Sequence, residues 1–223
     1  LGYKALSAED AHGYNTAVGF GALENLDAGT DALNTAVGYA AGNVLTTGIK
    51  NTLIGAQAGD SMTTGFRNSI LGYNAGGSMT IGNSNVAIGN LALTANVAAD
   101  RNVAIGVEAL TSMSAASTVD TYNTAIGYAA GTAVTSGIQN TILGGLAGDA
   151  LTTGSDNIAI GYQALSFEDT GSKNIAIGKA ALASQNYDGD AYNVAIGHSA
   201  GNQINTGTLN TLVGGLAGDA LTT

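Results

Sequence analysis

Apolar and polar positions alternate in short, regular bursts along this chain. Each burst opens on Asn and closes on Gly four residues later, as in Asn34-Thr35-Ala36-Val37-Gly38 and Asn157-Ile158-Ala159-Ile160-Gly161. Twelve such bursts begin at Asn15, Asn34, Asn51, Asn68, Asn85, Asn102, Asn123, Asn140, Asn157, Asn174, Asn193 and Asn210, and Leu1-Gly2 is the tail of a thirteenth. An alternation of period two reads as a strand, and the Thr, Val and Ile content favours strands as well. Successive burst glycines are 17 residues apart in nine of twelve intervals, with 19, 21 and 19 at Gly19–Gly38, Gly106–Gly127 and Gly178–Gly197. Helical-pair repeats need roughly 33 residues or more. Most turns also carry two or more glycines, and a glycine costs roughly 1 kcal/mol in a helix interior. The pattern therefore predicts an all-β fold, a parallel β-solenoid (β-roll) of about 13 turns, mostly of 17 residues. Residues 1–223 read as a single repeat domain, and the chain starts and stops in the middle of a motif, as an internal fragment of a longer fibre would.

Counting the Asn as position 0, position 2 is large at Leu53, Ile70, Ile142 and Leu212 and Ala in the other turns. Position 8 is Leu or Gly. The four turns with a large position 2 have Gly59, Gly76, Gly148 and Gly218 at position 8, and the turns with Leu23, Leu93, Leu110, Leu165 and Leu182 there have Ala at position 2. Close-packed interiors enforce such volume compensation, so positions 2 and 8 are expected to meet inside the coil. Positions 1 and 3 then face outward and carry β-branched or apolar residues on turn after turn. A strip of that length exceeds what soluble monomers usually expose, which predicts a homo-oligomer. The Asn side chains are expected to stack as a structural hydrogen-bonded ladder, and the Gly at position 4 to supply a corner or a close approach. A Gly three residues before the next Asn, as in Thr46-Thr47-Gly48, predicts a second corner.

Composition narrows the function. With six Lys+Arg, 16 Asp+Glu and a formal net charge of −10, the chain lacks the basic face that nucleic acid or anionic lipid requires. Zero cysteines exclude disulfides and thiolate chemistry. No apolar run is long enough for membrane insertion.

The bursts carry a resemblance. Asn34 to Gly42 and Asn157 to Leu165 resemble repeats of trimeric phage tail-fibre and tail-fibre-like surface proteins, and the Asn-Val-Ala-Ile-Gly units at Asn85, Asn102 and Asn193 are similar to the head repeats of trimeric autotransporter adhesins. The likeness spans the chain, although adhesin heads have shorter turns. It implies a left-handed coil, a homotrimer, an extracellular place on a virion tail fibre or a bacterial cell surface, and attachment as the function.

Candidate chemistry is sparse. His12 and His198 are far apart, and no nucleophile–base–acid arrangement or cofactor-binding motif is present, so the chain reads as non-enzymatic and without cofactors. Gly144 to Leu151 and its copy Gly214 to Leu221 are similar to a Ca2+-binding nonapeptide, but its Asp recurs only as Asp60, Asp149 and Asp219 and the period is wrong. Asp188 and Asp190 in Asn186-Tyr187-Asp188-Gly189-Asp190 form a weak metal candidate that an ordinary turn explains equally well. Tyr or Phe follows the corner Gly at Tyr3, Phe20, Tyr39, Tyr73, Tyr128 and Tyr162, where covering the next turn's backbone accounts for it.

The three long turns are the better candidates, because insertions in a solenoid emerge as loops on one side, often the binding side. Their extra residues fall within 24–33, 111–122 and 183–192, and an Asp replaces the usual pre-Asn Gly in each. The candidate ligand-binding residues are Asp27, Asp31, Asp120, Tyr122, Tyr187, Asp188, Asp190 and Tyr192. The expected function is the shaft or head segment of a homotrimeric attachment fibre that supports or performs recognition of a host or surface receptor, a glycan among the options. The alternatives are a pure spacer and, from the Thr-rich turns, an ice-binding solenoid, which lacks the flat Thr-x-Thr array it would need.

Overall fold

The computed structural model describes residues 1–9, 13–114 and 117–223. It is all-β, a parallel β-solenoid of about twelve turns. Two compact units make up the chain, Leu1–Glu108 with Met113–Asp120 and Ala109–Ser112 with Thr121–Thr223. The first contains β1 (Thr16–Val18), β2 (Thr35–Val37), β3 (Thr52–Ile54), β4 (Ser69–Leu71), β5 (Val86–Ile88), the two-residue β6 (Ala99–Asp100), β7 (Val103–Ile105) and the two-residue β8 (Val119–Asp120). The second contains β9 (Thr124–Ile126), β10 (Thr141–Leu143), β11 (Ile158–Ile160), β12 (Ile175–Ile177), β13 (Val194–Ile196) and β14 (Thr211–Val213).

Strands of successive turns pair in parallel with no register slip. Position 2 faces position 2 along β2, β3, β4 and β5, as Ala36, Leu53, Ile70 and Ala87. Those side chains are buried, whereas the flanking positions 1 and 3 are exposed or half-exposed. The inside and outside faces are those the alternation predicts.

Positions 2 and 8 do share one space. A Cβ on Gly76 would lie 2.9 Å from Ile70 Cδ1, and one on Gly59 would lie 3.1 Å from Leu53 Cδ2. The packing also reaches between turns. A Cβ on Gly42 would meet Leu23 Cδ2 of the preceding turn at 3.0 Å and Leu53 Cδ1 of the following turn at 2.6 Å. A Leu at position 8 thus leans toward the next turn, and a large position 2 leans back toward the previous one. When a Leu-bearing turn precedes a turn with a large position 2, the two would collide. A turn small at both positions separates them each time: Gly42 between Leu23 and Leu53, Gly131 between Leu110 and Ile142, Gly201 between Leu182 and Leu212. In the reverse order they lean apart, and Ile70 is followed directly by the turn of Leu93 with no such spacer.

The corners hold a surprise for sequence reasoning. Among the described residues thirty non-glycine residues have positive φ, at the residue before each burst Asn, at position 6 and at position 8. Lys50 (φ 60), Arg67 (φ 58), Tyr192 (φ 53) and Leu93 (φ 54) are examples. A left-handed L-residue costs roughly 1–2 kcal/mol, and none of the thirty is Val, Ile or Thr, whose branched Cβ fits this conformation worst. What holds them is the neighbouring turn, since Lys50 N donates to Ala32 O at 2.7 Å and Arg67 N to Ile49 O at 3.1 Å. Position 4 needs glycine for a second reason besides its φ. A Cβ on Gly72 would lie 2.5 Å from Gly89 O.

The burst asparagines from Asn34 to Asn193 are buried, and Asn15 and Asn210 are half-buried. Asn51 Oδ1 accepts from Asn68 N at 3.0 Å and from Asn68 Nδ2 at 3.2 Å, and Asn51 Nδ2 donates to Gly65 O at 2.8 Å. The same pattern links Asn123 to Asn140 and Asn193 to Asn210. Threonines at position 12 form a second ladder, with Thr46, Thr63 and Thr80 hydroxyls each donating to the next turn's carbonyl at 3.1 Å.

Candidate functional site

The loops of the long turns rest on a core position that the periodicity does not single out. Position 11 is buried and apolar at Leu26, Leu45, Met62, Met79, Met113, Val134, Leu151 and Ile204. It is polar at Glu9, Asn96, Glu168 and Gln185. Glu9, Asn96 and Glu168 each lie in the turn before a long one. Glu9 accepts from Asn15 Nδ2 through both oxygens, at 3.0 and 2.9 Å. Asn96 closes a corner on itself, accepting from Ala99 N at 2.8 Å and donating to Ala99 O at 3.0 Å. Glu168 Oε1 accepts from Gly171 N at 2.7 Å, and its Oε2 reaches into the following long turn to accept from Tyr187 N at 3.2 Å. Glu168 thereby supplies an acceptor to a backbone amide of the wider loop above it. Burial raises the Glu168 pKa above its ordinary value, and the two N–H donors work against that shift. Tabulating position 11 across the turns is the signal that would have found these residues.

The third long turn brings the most groups together. Above Glu168, Asp188 Oδ1 accepts from Thr170 Oγ1 at 2.9 Å, and Asn186 N donates to Asn205 O at 2.7 Å. Gly189 N donates to Tyr187 O at 2.7 Å, which folds Tyr187-Asp188-Gly189 into a tight turn. Asn186, Tyr187, Asp188, Asn205 and Thr206 line an open groove of about 460 Å3. Beside it, Lys173 Nζ lies 2.6 Å from Asp190 Oδ2, donates to Tyr192 Oη at 3.1 Å and sits 5.1 Å from the Tyr192 ring centroid. The hydrogen bond with Lys173 lowers the Asp190 pKa, and that with Asp190 raises the lysine's. Gln185 lies buried below, its Oε1 accepting from Asn193 Nδ2 at 2.8 Å.

The other predicted residues fall elsewhere. Asp120 pairs with Arg101 of the preceding turn, where β6 and β8 align Asp100 with Asp120. Two of the three long-turn aspartates therefore hold the cation that stands at the left-handed corner just before the Asn opening their own turn. Tyr122 is half-exposed with φ 51, and Asp27 and Asp31 are exposed. Asp188 and Asp190 are held by different partners, Thr170 and Lys173. Among the described residues no group of three or more His, Asp or Glu is placed to hold a metal ion, and His12 lies outside the described residues. Burial raises the pKa of Asp60 and Asp149, the acids of the nonapeptide-like segments. Tyr3, Phe20 and Tyr39 form an exposed stack with ring centroids 5.4 and 5.6 Å apart.

Among the described residues no helix is long and apolar enough to cross a membrane. Comparison of this chain with protein families, with curated proteins and with solved structures finds no match.

Proposed function

We propose that this chain is a non-enzymatic segment of an extracellular, homotrimeric attachment fibre, supporting or performing recognition of a receptor on a host or other surface. One observation carries the proposal, the apolar outer face of the strands. In the first unit Val18, Val37, Ile54 and Leu71 at position 3 are exposed, Leu71 to 47%, and in the second unit Leu143 and Ile196 are exposed likewise. A face this repetitive is buried most economically by the same face of another copy, because one interaction then recurs at every turn. The choice of three copies rests on the resemblance of the bursts to trimeric fibre repeats. Three copies of each long-turn loop would multiply weak contacts into avidity.

The test is sedimentation of the purified chain, with a trimer expected, followed by binding to target surfaces of the chain with and without its long-turn loops. A well-folded monomer at micromolar concentration would overturn the proposal. A pure spacer is the second reading, and it draws support from the ion pairs that tie Asp120 and Asp190 into the fold. Ice binding loses ground because the position 12 threonines spend their hydroxyls on the next turn.

A further inference from the structure

We infer that the groove over the third long turn binds a neutral saccharide, an inference that rests on the reading of this chain as a recognition segment. The lining chemistry sets the ligand class. Two carboxamides, a hydroxyl, a carboxylate and a half-exposed phenol ring, from Asn186, Asn205, Thr206, Asp188 and Tyr187, offer paired donors and acceptors and one flat apolar face. A hexose presents the complement, hydroxyls around its rim and C–H bonds on its face. No cation lines the groove while Asp188 does, and the chain's net charge is −10, so phosphate, sulfate and sialic-type ligands are repelled. The volume of about 460 Å3 falls within the range of small-molecule sites, roughly 300–1,000 Å3.

The groove is also held in shape before any ligand arrives. Asn186 and Asn205, on neighbouring turns, are joined by the bond from Asn186 N to Asn205 O, and the Asn205 amide donates on to Ser184 O at 3.4 Å. Glu168 fixes the loop from below through Tyr187 N, and Thr170 fixes Asp188. A preformed site spends less of its binding energy on ordering itself. The core under this loop departs furthest from the apolar rule. Position 11 is Leu26 and Met113 in the other two long turns, whereas here Gln185 and Glu168 occupy it in successive turns, and the Gln185 Nε2 is buried without a hydrogen-bond partner. A polar position 11 in the turn beneath is common to all three long turns, as Glu9, Asn96 and Glu168, and among the three only this long turn carries a second one of its own, Gln185.

The experiment is titration of the whole chain with a panel of neutral hexose trisaccharides and with sulfated forms of the same sugars, followed by isothermal calorimetry or by amide chemical shifts. Saturable binding of at least one neutral sugar is expected, at least tenfold weaker in Tyr187→Ala and in Asn205→Ala, and unchanged in Thr47→Ala, an exposed position in a 17-residue turn. Circular dichroism of each variant separates lost binding from lost fold. No saturable binding by any neutral sugar, a preference for the sulfated forms, or binding that Tyr187→Ala leaves intact would each overturn the inference. Surface attachment that survives Tyr187→Ala would remove the groove and leave the fibre proposal standing. Saccharide binding by a chain that sediments as a monomer would do the reverse.

Discussion

The backbone N–H of Tyr187, in a surface loop, donates to Oε2 of Glu168, a carboxylate buried in the turn below, at 3.2 Å. Nine other turns place Leu, Met, Val or Ile at the Glu168 position, so an apolar residue of similar length fits the core there. What it cannot do is satisfy Tyr187 N and Gly171 N.

Glu168→Leu therefore exchanges a desolvated carboxylate for apolar packing and leaves two amides without their acceptor. A buried unsatisfied group costs about 1–3 kcal/mol, and burying a carboxylate is itself costly, so global stability should move by no more than about 2 kcal/mol. The loop should move more. Amide hydrogen exchange at Tyr187 and Gly171 is expected to accelerate at least tenfold, with exchange at Ala176 in β12 unchanged. Uniform acceleration along the chain would contradict a local role.

The same carboxyl sets a pH dependence. Burial holds the Glu168 pKa above the ordinary glutamate value of 4.5, so the folded chain binds that proton more tightly than the unfolded chain does. Its contribution to stability is greatest below pH 4.5 and falls as pH rises through the raised folded value. Asp60 and Asp149 shift in the same direction for the same reason. Glu24 and Asp190, lowered chiefly by their hydrogen bonds to Lys4 and Lys173, act oppositely, and their contributions are lost only as pH falls below the ordinary carboxylate range. As pH falls from neutrality through the raised folded value toward the ordinary glutamate value of 4.5, the raised groups decide the sign. The urea midpoint should rise on acidification over that interval, and less so in Glu168→Gln.

How much of this was legible in the sequence depends on whether a position announces itself by residue type. Strand positions and the trade between Ile70 and Gly76 were legible, because alternation and side-chain volume leave marks within one turn. The left-handed corners were not. Glycine is the usual mark of positive φ, yet Lys50, Tyr192 and Leu93 occupy such corners, and the only trace they leave is the absence of β-branched residues. The long-turn aspartates stood out by position, but the partners that occupy two of them, Arg101 and Lys173, sit in the preceding turn and become visible only once the inter-turn register is known. Glu168 was missed because a lone acid near a turn resembles a solvated one.

The asparagine ladder should be intolerant of even an isosteric change. Asn51→Ala removes the donors to Gly65 O and Asn34 Oδ1 and strips the acceptor from Asn68 N and Nδ2. With several buried groups orphaned, a loss of about 3 kcal/mol or more is expected. Asn51→Asp keeps the shape and the acceptor but buries a charge and loses both donors, so it should destabilise to a similar degree. Thermal unfolding of the two variants checks this, and a near-wild-type Asn51→Asp would mean that the ladder matters only for its shape.

At the left-handed corners, glycine should be welcome where in most strands it is costly. Lys50 is exposed at φ 60, with its N–H bonded to Ala32 O. Lys50→Gly relieves the left-handed penalty of roughly 1–2 kcal/mol while adding unfolded-state entropy worth about 0.4–1 kcal/mol, so the unfolding midpoint should hold or rise. Lys50→Val places a branched Cβ in the same conformation and should lower it clearly. Equal effects of the two would mean that the corner tolerates any side chain.

The leaning of core side chains makes a prediction about order along the coil. Ile70→Ala alone opens a cavity and should cost about 2–5 kcal/mol. Gly76→Leu alone overfills the same space, where a Cβ already meets Ile70 Cδ1 at 2.9 Å, and should cost about 1–3 kcal/mol. The double variant Ile70→Ala/Gly76→Leu makes a Leu-bearing turn between that of Leu53 and that of Leu93, an order the chain already uses where Ile142 is followed by Leu165. It should recover most of the loss. Leu53→Ala/Gly59→Leu makes the same exchange one turn earlier, where the new Leu side chain leans forward onto Ile70, whose Cδ1 is 3.4 Å from a Cβ on Gly59, with no small turn between them. That pair should not recover. Unfolding midpoints of both doubles and their four singles form two mutant cycles. Favourable coupling of at least 1 kcal/mol in the first cycle and little or none in the second is the expected outcome. Equal coupling in both would show that volume alone governs this core and that the direction in which its side chains lean does not.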